Sequence, residues 1–259
     1  MKNKTIYTIF SHKSYPKIFT MHLKKIIFIF LLCSGPVLHA QDFGLSFSYF
    51  IPKNGYLSTP ISPFSIRGIG KNITPFMSLE TGISLYRMSG LAMKDLPIQS
   101  KSPFVGPNFT IFVPVELVFQ IQGQGIAFDI KGGGFFFYGL DQKLNYGNID
   151  RALRSLEGWS VANSAFTFKN HPGLGYHGGG ELTIGLMQGV SVSIECNYLV
   201  GQSKFPLTGT YTGGNTLLET KTADYPDAKI DFTGLEFSLG LFFNGGNSGP
   251  QKRKPKRRR

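Results

Sequence analysis

Residues 235–243 read LEFSLGLFF, with a large apolar side chain at every odd position. Glu236, Ser238 and Gly240 occupy even positions between them. Successive side chains of a β-strand point to opposite faces, so this alternation predicts a strand with one apolar face. The same two-residue period recurs in seven other segments, whose second face is again small or polar. The pattern therefore predicts an all-β chain, and 32 Gly, 24 Phe and 11 Tyr favour the same class.

Eight strands follow from this period. The second is the least regular, because Ile66 and Ile69 fall on opposite faces. The connections alternate in length, with short turns near 71–75, 120–125 and 187–189 and long stretches at 52–63, 89–107, 139–173 and 201–230. The predicted strands span residues 43–51, 64–70, 76–88, 108–119, 126–138, 174–186, 190–200 and 235–243.

An even number of strands, joined alternately by short turns and long loops, is typical of an outer-membrane barrel with both termini in the periplasm. We therefore predict an eight-stranded antiparallel up-and-down transmembrane β-barrel, closed because lipid cannot satisfy the polar backbone of an edge strand. Aromatic residues support this orientation, since such barrels carry aromatic girdles at both membrane interfaces. Tyr49, Tyr86, Tyr138, Tyr176 and Tyr198 fall near the outer strand ends, and Phe43, Phe76, Phe119 and Phe243 fall near the inner ends.

The first 40 residues are predicted to be a leader and signal peptide. Lys24 and Lys25 precede a short apolar run at 26–32, and small residues lead to Ala40, after which we place the cleavage. The run is shorter than the roughly 20 residues that a membrane-spanning helix needs. Met21 is the expected translation start. Cleavage would leave Cys196 as the only cysteine, which excludes an intrachain disulfide and a cysteine-based zinc site.

The formal net charge of +12 is concentrated at the two ends of the chain. Residues 1–40 hold six Lys and residues 251–259 hold seven Lys or Arg, with no acidic residue in either segment. The remaining 14 basic residues face 15 acidic ones, so the body lacks the basic surface of a nucleic-acid-binding protein. We expect residues 41–244 to form the barrel and residues 245–259 to form a flexible basic tail. An exported tail of this kind is expected to meet an anionic envelope partner rather than nucleic acid.

Three passages carry a resemblance to a known family. They are LETGI at 79–83, VPVE at 113–116 and the last strand at 235–243. They resemble the small porin-like outer-membrane β-barrel domain family, within the broader OmpA/OmpX-like group. The resemblance implies a narrow barrel, often of unassigned role. We expect this chain to lie in the outer membrane of a Gram-negative cell, in contact with outer-membrane lipid and inserted by the barrel-assembly machinery. It carries over no catalytic, cofactor-binding or metal-binding residue.

Charged residues recur on the predicted inner face. Unpaired ions in a low-dielectric interior cost several kcal/mol, so these residues need partners. An eight-stranded barrel is just wide enough to be filled by side chains, which favours a structural polar plug over a conducting lumen. Lys131 and Arg67 are the expected cationic partners of the carboxylates. The predicted lumen cluster consists of Glu80, Glu116, Asp129, Lys131, Glu181, Glu195 and Glu236.

The third long loop contains a helical pattern. Ile149, Leu153 and Leu156 recur at helical spacing, with Asn148 as the expected cap and Gly158 as the expected stop. Trp159, the sole tryptophan, follows directly. It is expected either to contact an outside partner or to anchor the loop among lipid headgroups.

The function expected from these patterns is a structural or surface-presenting role in the cell envelope, without catalysis. A soluble lipocalin-like barrel remains open, because alternation alone does not say whether the apolar face points inward or outward. A lipid-modifying enzyme is a further alternative. It would use His177 and Glu181 with Ser191 or Ser193 from the next strand.

Overall fold

The computed structural model describes residues 42–54, 62–106, 108–187 and 189–244. The predicted signal peptide at 1–40 and the predicted tail at 245–259 lie outside the described residues. Within the described ranges the elements, in chain order, are β1 (Asp42–Pro52), β2 (Ser62–Thr74), β3 (Met77–Met88), β4 (Met93–Lys94), β5 (Asn108–Gln122), β6 (Ile126–Leu140), α1 (Tyr146–Glu157), β7 (Val161–Phe168), β8 (Gly173–Met187), β9 (Val190–Lys204), β10 (Leu207–Gly214), β11 (Glu219–Tyr225), β12 (Lys229–Asp231) and β13 (Gly234–Asn244).

Eight long antiparallel strands close into a barrel. The hydrogen-bonded order is β13, β1, β2, β3, β5, β6, β8 and β9, and β9 pairs with β13 to complete the ring. Each corresponds to one strand predicted from the two-residue period, usually extended by one to four residues at its ends. The prediction of an all-β, eight-stranded antiparallel up-and-down barrel is confirmed.

The irregular pattern of β2 has a local cause. Ile66 pairs with Ile83 and Ile69 pairs with Thr81, so three steps along β2 match two along β3. The extra residue is a β-bulge, and Gly68 within it has a φ of 72°. Glycine adopts this left-handed conformation without steric cost. The bulge reverses the side-chain alternation, which is why Ile66 and Ile69 break the expected period.

The apolar face of the barrel points outward. On β13, Phe237, Leu239 and Leu241 are 42%, 54% and 43% exposed, whereas Glu236 and Ser238 are buried in the lumen. The lipocalin-like alternative is therefore wrong, because it requires these apolar side chains to be inside. Exposed apolar side chains continue around the ring on the other strands, among them Leu45, Phe47, Leu79, Ile83, Val115, Leu117, Phe128, Ile130, Leu182, Ile184 and Ile194.

The predicted aromatic girdles are largely outward-facing, with one correction. Tyr49, Tyr176 and Tyr198 are exposed near the loop end of the barrel, and Phe76 and Phe119 are exposed near the turn end. Tyr86 instead points into the lumen and is fully buried. Its even position on β3 places it on the same inner face as Ser84, and its hydroxyl donates a hydrogen bond to Glu236.

The long connections at the loop end build a second layer, here called the cap, from α1, β7, β10 and β11. These three strands form an antiparallel sheet in the order β11, β10, β7, which corrects the expectation that the stretches are loops. The helix is present, but Asn145 rather than Asn148 is its N-cap, accepting the Asn148 backbone N–H at 3.3 Å. Gly158 ends the helix in the left-handed conformation, as expected. None of the helices in the described ranges is long and apolar enough to cross a membrane.

Candidate functional site

The predicted lumen residues lie inside the barrel. Glu116, Asp129, Lys131, Glu181, Glu195 and Glu236 are each at most 6% exposed. Glu80 is half-buried and accepts a hydrogen bond from Ser78 Oγ at 2.5 Å. Pairing stabilises buried charges, and among the described residues Glu116, Glu181, Glu195 and Glu236 each lie within 4 Å of a basic side chain, whereas Asp129 does not.

Arg67 organises one part of the network. Its Nη2 donates to Glu236 Oε1 at 2.5 Å, and its Nη1 lies 3.9 Å from Glu195 Oε1. The Asn197 amide donates to Glu236 Oε2 and to Glu195 Oε1, each at 2.9 Å. With the hydroxyl of Tyr86, Glu236 therefore accepts from three side chains on different strands. Arg67 continues the inner face of β2 from Ser65, and both side chains are buried in the lumen.

Lys131 organises the second part. Its ammonium forms an ion pair with Glu181 and lies 3.4 Å from Glu195 Oε1. Glu195 thus links the two cations. Glu116 lies beside His177, whose Nε2 is 3.5 Å from Glu116 Oε2 without a hydrogen bond between them. We call Arg67, Lys131, Glu116, Glu181, Glu195 and Glu236 the ionic layer.

An aromatic layer adjoins the ionic layer. Phe232, from the connection between β12 and β13, inserts into the lumen and is fully buried. Its ring stacks on Phe50 and on Phe137, each at a centroid distance of 4.6 Å. The rings of Tyr86, Phe112 and Phe135 complete the circle, with centroids 5.9 to 6.2 Å from that of Phe232. The Arg67 guanidinium lies 5.8 Å from the Phe112 ring, so the two layers are in contact.

Two runs of three glycines, at 132–134 and 178–180, make room for this packing. A Cβ at Gly179 would collide with the Asn197 amide and with the β9 backbone. A Cβ at Gly133 would collide with the β5 backbone beside Glu116. Interior glycines at these two positions let the charged side chains of adjacent strands fill the lumen.

The serine and histidine of the enzyme alternative are far apart. Ser193 pairs with Thr183, six residues along β8 from His177, which corresponds to about 20 Å at the rise of a strand. Ser191 pairs with Gly185, two residues farther on. A nucleophile and its base must lie within hydrogen-bond reach, so these residues do not form a catalytic pair. Among the described residues no group of His, Cys, Asp and Glu is arranged to hold a metal ion.

Trp159 packs within the cap. Its ring centroid lies 5.7 Å from that of Tyr211, and the Lys221 ammonium lies 5.0 Å from the centroid of the Trp159 ring. Lys221 also donates to Glu157 Oε2 at 2.5 Å, and the Tyr211 hydroxyl donates to Glu157 Oε1 at 2.7 Å. The hydrogen bonds from Lys221 and Tyr211 lower the pKa of Glu157. Burial, followed by the hydrogen bond to Glu157, raises the pKa of Tyr211 to about 12.

This packing makes a prediction about the single tryptophan of the chain. In protein reconstituted into bilayers, we expect brominated lipids to leave the Trp159 fluorescence unquenched, because the indole contacts Tyr211 and Lys221 rather than headgroups. Lys221→Ala should change the emission, since it removes the cation from the ring. Quenching that increases with the fraction of brominated lipid would contradict this placement and support the headgroup anchor.

Sequence reasoning missed several residues of the lumen. Alternation along β9 places Asn197 on the inner face with Glu195 but does not predict its hydrogen bonds, and alternation along β3 could have placed Tyr86 beside Ser84. The placement of His177 beside Glu116 depends on pairing across β5, β6 and β8. Phe232 lies between strands, and no periodicity indicates that it enters the lumen.

Comparison with known proteins finds fold resemblance only among solved structures. No protein-family model matches the chain, and no curated protein matches it. The chain is similar to OprG from Pseudomonas aeruginosa, with 12% identity, a TM-score of 0.45, and coverage of 79% of this chain and 95% of that chain. It is similar to a major outer membrane protein from Thermus thermophilus, with 10% identity, a TM-score of 0.40 and coverage of 79% and 99%. It is also similar to Ail, the attachment invasion locus protein of Yersinia pestis, with 10% identity, a TM-score of 0.37 and coverage of 78% and 94%.

Proposed function

We propose that this chain is an outer-membrane β-barrel with a closed lumen, which serves the cell envelope structurally or by presenting its cap at the cell surface. The observation that carries the proposal is the outward apolar face of a closed ring whose interior is ionic. Exposing such a surface to water would cost roughly 25 cal/mol of free energy for each Å² of apolar area. A bilayer removes this cost, and closure of the ring satisfies the backbone polar groups.

The filled lumen supports a structural or presenting role over a pore. The ionic layer brings together side chains from six of the eight barrel strands, namely β2, β5, β6, β8, β9 and β13. The stacked rings around Phe232 form a second barrier in contact with it. Water and ions passing through would have to separate both layers. Catalysis is not part of the proposal, and the cap would be the surface available for contacts outside the cell.

The unequal ends of the barrel support the proposed orientation. The described residues of the β2–β3 and β5–β6 connections form tight turns, whereas the opposite end carries the cap. Outer-membrane barrels place short turns in the periplasm and long loops outside. Both termini of the barrel would then be periplasmic. The same orientation would place a basic tail beside anionic envelope components, and insertion would require the barrel-assembly machinery.

Cysteine labelling in intact cells tests this orientation. In a Cys196→Ser background, Thr210→Cys on the cap sheet should react with a membrane-impermeant maleimide. The matched Gln124→Cys variant, in the exposed turn between β5 and β6, should react only after the outer membrane is permeabilised. Labelling of Gln124→Cys in intact cells, with Thr210→Cys protected, would show that the barrel has the opposite orientation.

A further inference from the structure

Three lysines form a row across the loop end of the barrel wall. Lys204 at the end of β9 pairs with Lys229 on β12, and Lys229 pairs with Lys94 on β4. Directly paired residues on adjacent strands point to the same face, and like charges placed opposite one another are destabilising. The fold therefore brings three cations together, and a lysine of this row that lacks a carboxylate partner is free to bind an anion.

This row faces the same side as the apolar belt. Lys204 continues the outward positions of β9, which include Tyr198 and Val200. Lys204 lies six residues beyond Tyr198 and four beyond Val200, the partner of Tyr176, on the side where the proposed function places lipid headgroups.

The acidic partners of the row leave one lysine without a counter-ion. Lys94 Nζ lies 2.9 Å from Asp231 Oδ2, and Lys229 Nζ lies 2.8 Å from Asp95 Oδ2. Asp227 adds a weaker attraction to Lys229. Within the described part of the chain Lys204 forms no ion pair.

A cleft of about 220 Å³ adjoins the row. Leu174 and Tyr176, on either side of Gly175, project from the barrel wall and are 70% and 66% exposed. The lining combines an apolar group, Leu174, Tyr176 and Val200, with a polar group, Lys94, Gln202 and Thr233. An acyl chain fits the first group, and the donors of Lys94, Gln202 and Thr233 suit phosphate oxygens.

We propose that the lysine row and this cleft form a binding site for one outer-leaflet lipid with an anionic, phosphate-bearing headgroup. The headgroup lies against Lys204, Lys229 and Lys94, and an acyl chain lies along Leu174 and Tyr176. The proposal rests on the proposed membrane location and adds a specific lipid contact to it.

Native mass spectrometry of the folded full chain in detergent tests the site, with phosphatidylglycerol and zwitterionic phosphatidylcholine as probes. We expect retention of phosphatidylglycerol over phosphatidylcholine, and a loss of affinity of about tenfold or more in Lys204→Ala/Lys229→Ala. This double variant keeps the Lys94–Asp231 ion pair, so the loop end of the barrel should stay folded. Arginine at both positions should restore binding.

The chain offers a matched control for the lost charge. Lys101→Ala/Lys143→Ala removes one lysine without an ion pair in the described residues and one paired with an exposed carboxylate, Asp141. We expect this variant to bind like the wild type. Val200→Trp should also weaken binding, because it fills the cleft without changing the charge.

Several outcomes would overturn the proposal. Equal retention of the two lipids, or equal affinity of the double variant and the control, would exclude a specific site at the row. Unchanged binding by Val200→Trp would place the acyl chain elsewhere. Displacement of the lipid by an equal concentration of inorganic phosphate would identify a free-phosphate site instead. Heat-dependent gel mobility of the same samples reports on the membrane barrel separately, so failure of one proposal is distinguishable from failure of the other.

Discussion

Arg67→Met should lower the free energy of unfolding by about 3–5 kcal/mol, because it removes one partner of a buried ion network and leaves the other charged. Glu236 would lose its 2.5 Å contact with the guanidinium, and Glu195 would keep only Lys131 among its cations. Both carboxylates are at most 2% exposed, so water cannot replace the lost cation. Urea unfolding in lipid vesicles, followed by circular dichroism, measures the change.

Two variants make the cause of this loss testable. Arg67→Met/Glu236→Gln should recover most of the stability, because the amide keeps hydrogen-bonding capacity towards Tyr86 and Asn197 without a stranded charge. Arg87→Met is the matched control: Arg87 is exposed and lies 5.9 Å from the Phe109 ring. We expect the control to change stability by less than about 1 kcal/mol. A double variant no more stable than Arg67→Met would show that shape, rather than charge, controls the site.

Phe232→Ala should also lower the free energy of unfolding by about 3–5 kcal/mol. The substitution empties the centre of a circle of five rings, two of which stack on Phe232 at 4.6 Å. Neighbouring strands hold the remaining rings, so the cavity cannot collapse fully. The ionic layer would still fill the barrel, and we therefore expect the variant to stay non-conducting in planar bilayers.

Phe76→Ala provides the comparison for this effect, since Phe76 is 58% exposed at the turn between β2 and β3. Its loss should destabilise the barrel clearly less than the loss of Phe232. Equal effects of the two variants would mean that the aromatic layer contributes no special stability. Steady ion currents through Phe232→Ala would mean that the ring, rather than the ionic layer, seals the lumen.

The alternation of side chains was sufficient to predict the barrel, because period two is a local property of each strand. It also identified the carboxylates and Lys131 as inward-facing, since parity alone decides the face. The direction of the apolar face could not be predicted in this way, because alternation is the same whether the apolar side faces lipid or core. Only the closed ring, with Leu239 outside and Ser238 inside, decides between them.

The cap was missed because its pairing is not local. Thr208 of β10 pairs with Thr167 of β7, and the whole β8–β9 hairpin separates them in the chain. The strict alternation of Thr208, Thr210 and Thr212 could have indicated β10 alone. Phe232 illustrates a second limit, since a single loop residue that enters the lumen leaves no periodic signal.

The most direct test of the membrane barrel uses the chain without its predicted signal peptide, refolded in detergent. Gel mobility of unheated and boiled samples is compared, together with circular dichroism in detergent and in plain buffer. The outward apolar belt predicts faster migration of the unheated protein and β spectra only in detergent or lipid. A monodisperse, folded protein in plain buffer would contradict the account, because it would show that the apolar side chains of this chain are not exposed to solvent.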